Sequence, residues 1–298
     1  MTDVTALENE TAHHLHDYDI DVRHTATVIT SERITPLQSE TEVRELVLEI
    51  DRPDFDYRVG QSVGVLAPAP PDFGAEHHLR LYSVADLPAR GPKGRPRIVL
   101  CVRRCSYIDS YSGEEYPGVA SNYLCDLATG HTLTLTGPYG LPFAVPDELD
   151  ANLVLIGTGT GIAPFRALVK HIYRDVGGWT GRILLFYGAK SGLELLYMND
   201  ERDDFSQYYD EDTFEAFRAL SPRPHWGDPI AWNDAIAERS TELWKMLGEA
   251  KTYVYVAGLE KMRPELDSVF AGLAGSAEKW QRRKAELMAG ERWVELLY

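Results

Sequence analysis

The stretch LVLIGTGTGIAPF, residues 153–165, decides the fold. LVLIG is short and wholly apolar, which is the pattern of a strand buried on both faces. Gly157, Gly159 and Gly161 follow at alternate positions. Lacking a Cβ, they let a phosphate approach the backbone closely. Pro164 falls where a helix begins, a place where its missing N–H costs nothing. Free N–H groups at such a helix start, aided by the helix dipole, favour an anion. The spacing is not the G-x-G-x-x-G of the usual dinucleotide fingerprint. A tight turn with no ligand stays open as the plainer reading.

C-terminal to this stretch, PFRALVKHIYR at 164–174 has helical spacing, and RILLFYG at 182–188 and TYVYVAG at 252–258 are further buried strands. Helical stretches at 234–247 and 264–273 lie between and after them. Alternating strand and helix predicts a parallel sheet covered on both faces. ERWVELLY, the last eight residues, is strand-like and apolar enough to tie the chain end into that sheet. N-terminal to residue 150 the text changes. ATVITSE, VRELVLEI, QSVGVLA, LYSVAD and RIVLCVRR are short β runs, and TLTLTG at 132–137 alternates strictly. With Gly and Pro between them, they predict a small antiparallel barrel, interrupted by one helix near 119–127. The expected organisation is a mobile tail over 1–22, an antiparallel β-barrel domain over 23–148 and an α/β parallel-sheet nucleotide-binding domain over 149–298. His13, His14 and His16 sit in the tail with no carboxylate or cysteine at ligand spacing, so no metal site is expected.

Composition narrows the class. The 298 residues are 44% hydrophobic and 26% charged, in the globular range. No apolar run reaches the ~18–20 residues of a membrane-spanning helix, and the N-terminus is unlike a secretory signal, so a cytoplasmic protein without membrane insertion is expected. Three cysteines, Cys101, Cys105 and Cys125, fit neither a disulfide framework nor a four-thiolate cluster. Redox chemistry would then need an organic cofactor. A net charge of −16 argues against nucleic-acid binding. It would also repel an acidic partner unless cations gather locally. Arg90, Lys93, Arg95, Arg97, Arg103 and Arg104 lie within fifteen residues. They read either as such a patch or as scattered cations on a hairpin.

Four segments together resemble the plant-type ferredoxin–NADP reductase family: RLYSVA (80–85), GVASNYLCDL (118–127), GTGTGIAPFR (157–166) and YVYVAGLEKM (253–262). IVLCVRR (98–104) and the terminal Tyr298 strengthen the match, which runs over roughly 25–298. The resemblance implies a ferredoxin reductase-like fold, with an FAD-binding barrel followed by an NADP-binding domain. It implies that Arg80 holds the FAD pyrophosphate, a role that suits a guanidinium fork. Tyr82 would lie on one isoalloxazine face and Ser83 beside the atom that receives hydride, and Leu81, just before them, belongs to the same flavin-binding segment. Cys101, Val102 and Arg103 would lie near adenine and incoming NADP. Gly118, Val119, Ala120 and Ser121 would receive the FAD phosphates. Gly159, Thr160 and Gly161 would take the NADP pyrophosphate and nicotinamide, and Gly258, Leu259 and Met262 would line the same site. Tyr298 would cover the other flavin face and yield to nicotinamide as a gate. Ser83, Thr160 and Tyr298 are thus the implied catalytic set.

NADP selectivity falls to SPRPHW at 221–226, where Ser221 and Arg223 match the family's 2′-phosphate residues and Trp232 is a candidate for its aromatic. A proline-rich loop with one arginine is the plainer reading. Three positions depart from the family pattern. Ala257 stands where Cys is common, Leu296 where Glu is usual (Glu295 is one residue off), and Ala120 also replaces a common Cys. These put nicotinamide positioning and any proton route through a glutamate in doubt. The function implied is electron transfer between NADP(H) and a one-electron carrier, ferredoxin or flavodoxin, through FAD. A reductase component serving an oxygenase or iron–sulfur partner fits the same residues. A flavin- or nucleotide-binding regulatory or scaffold subunit is the reading from another class.

Overall fold

The computed structural model describes residues 18–71, 74–109, 111–140 and 143–298. His13, His14 and His16 lie outside them. The first half is a seven-stranded antiparallel sheet. Its strands are β1 (Arg23–Arg33), β2 (Val43–Ile50), β3 (Ser62–Pro68), β4 (His77–Ser83), β5 (Ala89–Arg90) and β6 (Pro96–Arg103), with β9 (Thr132–Tyr139) further on. Their order is β4-β3-β9-β1-β2-β6-β5. The sheet curls until its first strand reaches its sixth. Val84 bridges Leu100, and the Ala85 amide donates to the Val99 carbonyl at 2.8 Å. That closure makes the predicted barrel. Between β6 and β9 lie a small hairpin, β7 (Ser106–Ile108) with β8 (Glu115–Pro117), and helix α1 (Val119–Asp126). The α1 helix packs across β3, β4 and β6, putting Leu124 and Cys125 into the barrel core. Tyr18 packs edge-on against Tyr139, and the Tyr139 hydroxyl donates to the Asp19 carbonyl.

The second half is a parallel sheet of β10 (Asn152–Thr158), β11 (Ile183–Ala189), β12 (Phe214–Leu220), β13 (Thr252–Gly258) and β14 (Trp293–Leu297). Its order is β12-β11-β10-β13-β14. Successive side chains on a strand face opposite ways. Leu153, Leu155, Ile183 and Leu185 therefore fill the core under α2 (Ile162–His171), while Val154, Ile156, Leu184 and Phe186 fill the opposite one. That opposite core is built on α3 (Trp232–Ala237), α4 (Ser240–Met246), α5 (Met262–Ala274) and α6 (Ala277–Ala289). Each fully buried apolar side chain contributes roughly 1.5–3 kcal/mol. The core under α2 also takes in Ile34, Val43, Val59, Ala85 and Cys101 of the first half, so the two halves share it.

Several elements differ from expectation. The helical stretch at 234–247 is two helices, α3 and α4. Strand β12 and helix α6 were not expected from the sequence, and β4 starts at His77, earlier than LYSVAD suggests. FEAFRAL has only two fully buried positions, Phe214 and Ala219, so no strand pattern stands out. The α6 helix is dominated by charge and buries only Trp280, Lys284 and Leu287.

Candidate functional site

The glycine turn sits at the carboxyl end of central strand β10, where open α/β sheets bind ligands. Its glycines have distinct reasons. A Cβ on Gly161 would come within 2.2 Å of the Ala257 carbonyl oxygen, so the turn closes on β13 only with glycine there. Gly159 adopts a positive φ of 52° with open space above it, which leaves its backbone approachable. Gly258, at φ 142°, is packed against Thr158 and Met262. Met262 is buried, and its sulfur accepts the Thr158 hydroxyl at 2.9 Å, so this side chain supports the turn from below.

The chain end meets that turn. The Tyr298 amide donates to the Gly258 carbonyl at 2.9 Å, and the Glu260 amide donates to the Tyr298 carbonyl. Oγ of Thr160 lies 2.5 Å from the Tyr298 hydroxyl. Tyr298 as a whole residue stays 60% exposed, while its hydroxyl end is desolvated beside Thr160. Across the cleft stand Cys101, Arg103 and Cys105 of the first half, close enough to act on the Tyr298 hydroxyl electrostatically. The glycine turn itself packs against β6. Cys101 faces this junction, and burial pushes its thiol up to about 12. Val102 points the other way into the barrel core, so only its backbone lies toward the cleft.

On the barrel side, Arg80 and Tyr82 project from β4 to the face shared with α1. Burial raises the Tyr82 phenol, with Cys125 and Cys105 beside it. Leu81 pairs with Gly64 on the other face, and Ser83 Oγ lies 3.4 Å from Ser62 Oγ. The α1 helix starts at Gly118 with no side-chain cap and no acidic residue in its first turn. The amides of Val119, Ala120 and Ser121 therefore keep donors for an anion. Ser121 Oγ is engaged locally, accepting the Cys105 amide at 3.2 Å. Ala120 is buried beneath. Arg80 donates to the Leu79 carbonyl at 3.4 Å, lies near His78 and Tyr82, and has no carboxylate partner among the described residues; nor has Arg103. Exposed cations left unpaired in a chain of net charge −16 fit an anionic group of the pyrophosphate kind.

The remaining candidates sit apart. Ser221 and Arg223 follow edge strand β12 and are already engaged. Ser221 Oγ donates to the Asp228 carbonyl at 2.7 Å. Arg223 grips the Asp228 carboxylate at 2.8 and 3.4 Å and stacks 5.0 Å from the Trp226 ring centre. Trp232 is not the exposed aromatic of this region. It is buried at 2% exposure, with its indole donating to Glu265, whereas Trp226 is 78% exposed. Ala257 and Leu296 are register partners on one apolar face. Glu295 is on the opposite face, ion-paired with Arg263 and Lys284. A one-residue offset in a strand reverses direction, so Glu295 does not reach the place of Leu296.

The basic run does not form a free patch. Arg95 pairs with Asp51, Arg97 with Glu49, and Arg104 with Glu42 and Asp126, while Arg90 donates to two backbone carbonyls. Residues without a sequence motif also matter. Tyr187 holds the turn, its hydroxyl donating to the Gly159 carbonyl at 2.9 Å. Arg166 and Asp86 form an ion pair that nothing local in the sequence reveals.

A barrel faces a glycine turn on a parallel sheet, and residues 155–267 match the family model described as an oxidoreductase NAD-binding domain. A ferredoxin–NADP reductase from Spirulina sp. is 32% identical over 84% of this chain and 87% of that protein. One from Synechocystis sp. is 33% identical over 84% of this chain, but the chain spans only 62% of its length. The chain belongs to the ferredoxin–NADP reductase family. A solved ferredoxin–NADP+ reductase from Plasmodium falciparum shares the fold, with a TM-score of 0.68 over 94% of this chain and 98% of that one at 19% identity.

Proposed function

We propose that this chain is a flavoenzyme passing electrons between NADP(H) and a one-electron carrier such as ferredoxin or flavodoxin, with FAD as converter. The observation that carries this reading is the meeting of Thr160 and Tyr298 with the Arg103 side of the barrel. When bound, FAD supplies the exchange between two-electron hydride and single electrons. Arg80 and the amides of Val119–Ser121 would hold its phosphates, and Tyr82 and Ser83 would face its ring. Tyr298 would cover the opposite face and swing aside for nicotinamide, with Thr160 steadying its hydroxyl. Gly159 and Gly161 would admit the nucleotide pyrophosphate to the backbone. With Ala257 and Leu296 both apolar, a proton route through a glutamate at that spot is not part of the proposal.

A Plasmodium falciparum ferredoxin–NADP+ reductase of this fold has been solved with 2′P-AMP; for this chain Ser221 and Arg223 are assigned to a 2′-phosphate from the SPRPHW segment. The division into a flavin half, 23–148, and a nucleotide half, 149–298, goes with this reading. Among the described residues no helix is long and apolar enough to cross a membrane.

The purified protein is expected to be yellow, or to become so with FAD. A colourless protein that cannot be reconstituted overturns the reading. A second reading, service to a dedicated oxygenase or iron–sulfur partner, gains from the ion pairs that Arg95, Arg97 and Arg104 make within the basic run. With those three cations paired, steering of a strongly acidic carrier is weakened. Reduction of candidate carriers at low and high salt decides: a steep loss of ferredoxin reduction with salt favours ferredoxin.

A further inference from the structure

Arg166 stands out among the charges outside the site. It lies on α2, five residues past Gly161, and is 2% exposed. Its guanidinium donates to the Ala85 carbonyl at 2.6 Å, only two residues past Ser83. It pairs with Asp204 at 2.5 Å and with Asp86 at 3.0 Å, and it approaches Glu45 at 3.6 Å. Its flat face lies 4.4 Å from the ring centre of buried Tyr197, a residue held at φ 60°. Lys170 joins at Asp86, at 2.6 Å, and Arg202 at Glu45, at 2.7 Å. The cluster is thus three cations among three carboxylates, drawn from both halves of the chain. Burial opposes ionisation of Asp86, but Arg166 and Lys170 overcome it and hold the carboxyl below its ordinary range.

A buried ion network is a poor way to gain stability, because desolvation cancels most of the attraction. Apolar packing would hold the halves together as well, and the shared core already does so. A guanidinium fork adds direction, since its planar donors fix orientation as well as distance. One arm runs to Ala85, just past the end of the strand that carries Tyr82 and Ser83. The helix that carries it starts at the glycine turn.

We propose that Arg166 is a positioning residue: it sets the alignment of the Ser83 strand against the Thr160 turn, and so the geometry of hydride transfer. The inference rests on the proposed flavoenzyme reading. A misplacement near 1 Å can slow such a transfer roughly 100-fold. The test is stopped-flow reduction of the FAD-loaded protein by NADPH, with NADP+ binding measured separately by flavin difference spectra. Arg166→Met should leave flavin content and NADP+ affinity within about twofold while hydride transfer slows by about 10- to 100-fold. Arg166→Lys, which keeps charge without the fork, should recover only part of the rate. If Arg166→Met does not fold, Asp86→Asn decides, with about tenfold slower transfer at unchanged NADP+ affinity. A rate equal to wild type, or one that falls only in step with flavin or nucleotide binding, overturns the assignment. A wild-type protein that holds no flavin fails the functional reading instead.

Discussion

Arg80 and Arg223 are both proposed here to hold phosphates, yet they meet the solvent in opposite conditions. Arg80 has no carboxylate partner among the described residues and projects beside an uncapped helix start. Arg223 is held at two points by Asp228, which also takes the Ser221 hydroxyl. The barrel side is thus ready for an anion as it stands, whereas the β12 loop must exchange one partner for another. The exchange is cheap. An exposed ion pair is worth about 0–1 kcal/mol, a factor of five at most in affinity. On the proposed reading, a flavin retained tightly and a 2′-phosphate bound with modest preference are expected from this contrast.

The contrast can be broken most visibly at Arg80. Arg80→Ala should yield protein with at least about tenfold less bound FAD, because a charge-assisted hydrogen bond to phosphate is worth about 1.5–3 kcal/mol. Flavin absorbance per protein measures it, and a full complement of flavin removes Arg80 from the site. Arg223→Ala should raise KM for NADPH about five- to tenfold and leave NADH nearly unchanged. Equal losses with both nucleotides would take Arg223 out of 2′-phosphate recognition. The smallest effect is the sharpest. Asp228→Asn removes the competing charge, so the preference for NADPH over NADH should rise by about two- to fivefold. A fall in that ratio would mean that Asp228 supports the pocket by holding the loop in shape.

Legibility in the sequence followed the range of the interactions. The glycine turn was readable because three alternate glycines between an apolar strand and a proline leave few other structures. Closure of Gly161 on Ala257 gives that pattern its physical reason. The barrel strands were readable from alternation, and LVLIG and ILLFYG from unbroken apolar runs. β12 was not, since its exposed Arg218 and half-buried middle blur the period. Trp232, the sequence's candidate for an exposed aromatic near Ser221 and Arg223, is buried, and Trp226 is the exposed one. Trp232 fills the core against Gly188, a contact formed only once β11 and α3 pack. The Arg166 network was out of reach for the same reason. Glu45, Asp86 and Asp204 are remote in sequence, and no local pattern marks a guanidinium that will be buried among them.

Everything functional depends on the Ser83 strand and the Thr160 turn serving one reaction. Anaerobic mixing of the FAD-loaded protein with NADPH, and with NADPH deuterated at the transferred position, tests this directly. Rapid bleaching of the flavin band, slowed by the deuterium, is the expected result. Flavin that stays bound and oxidised in the presence of saturating NADPH would contradict it.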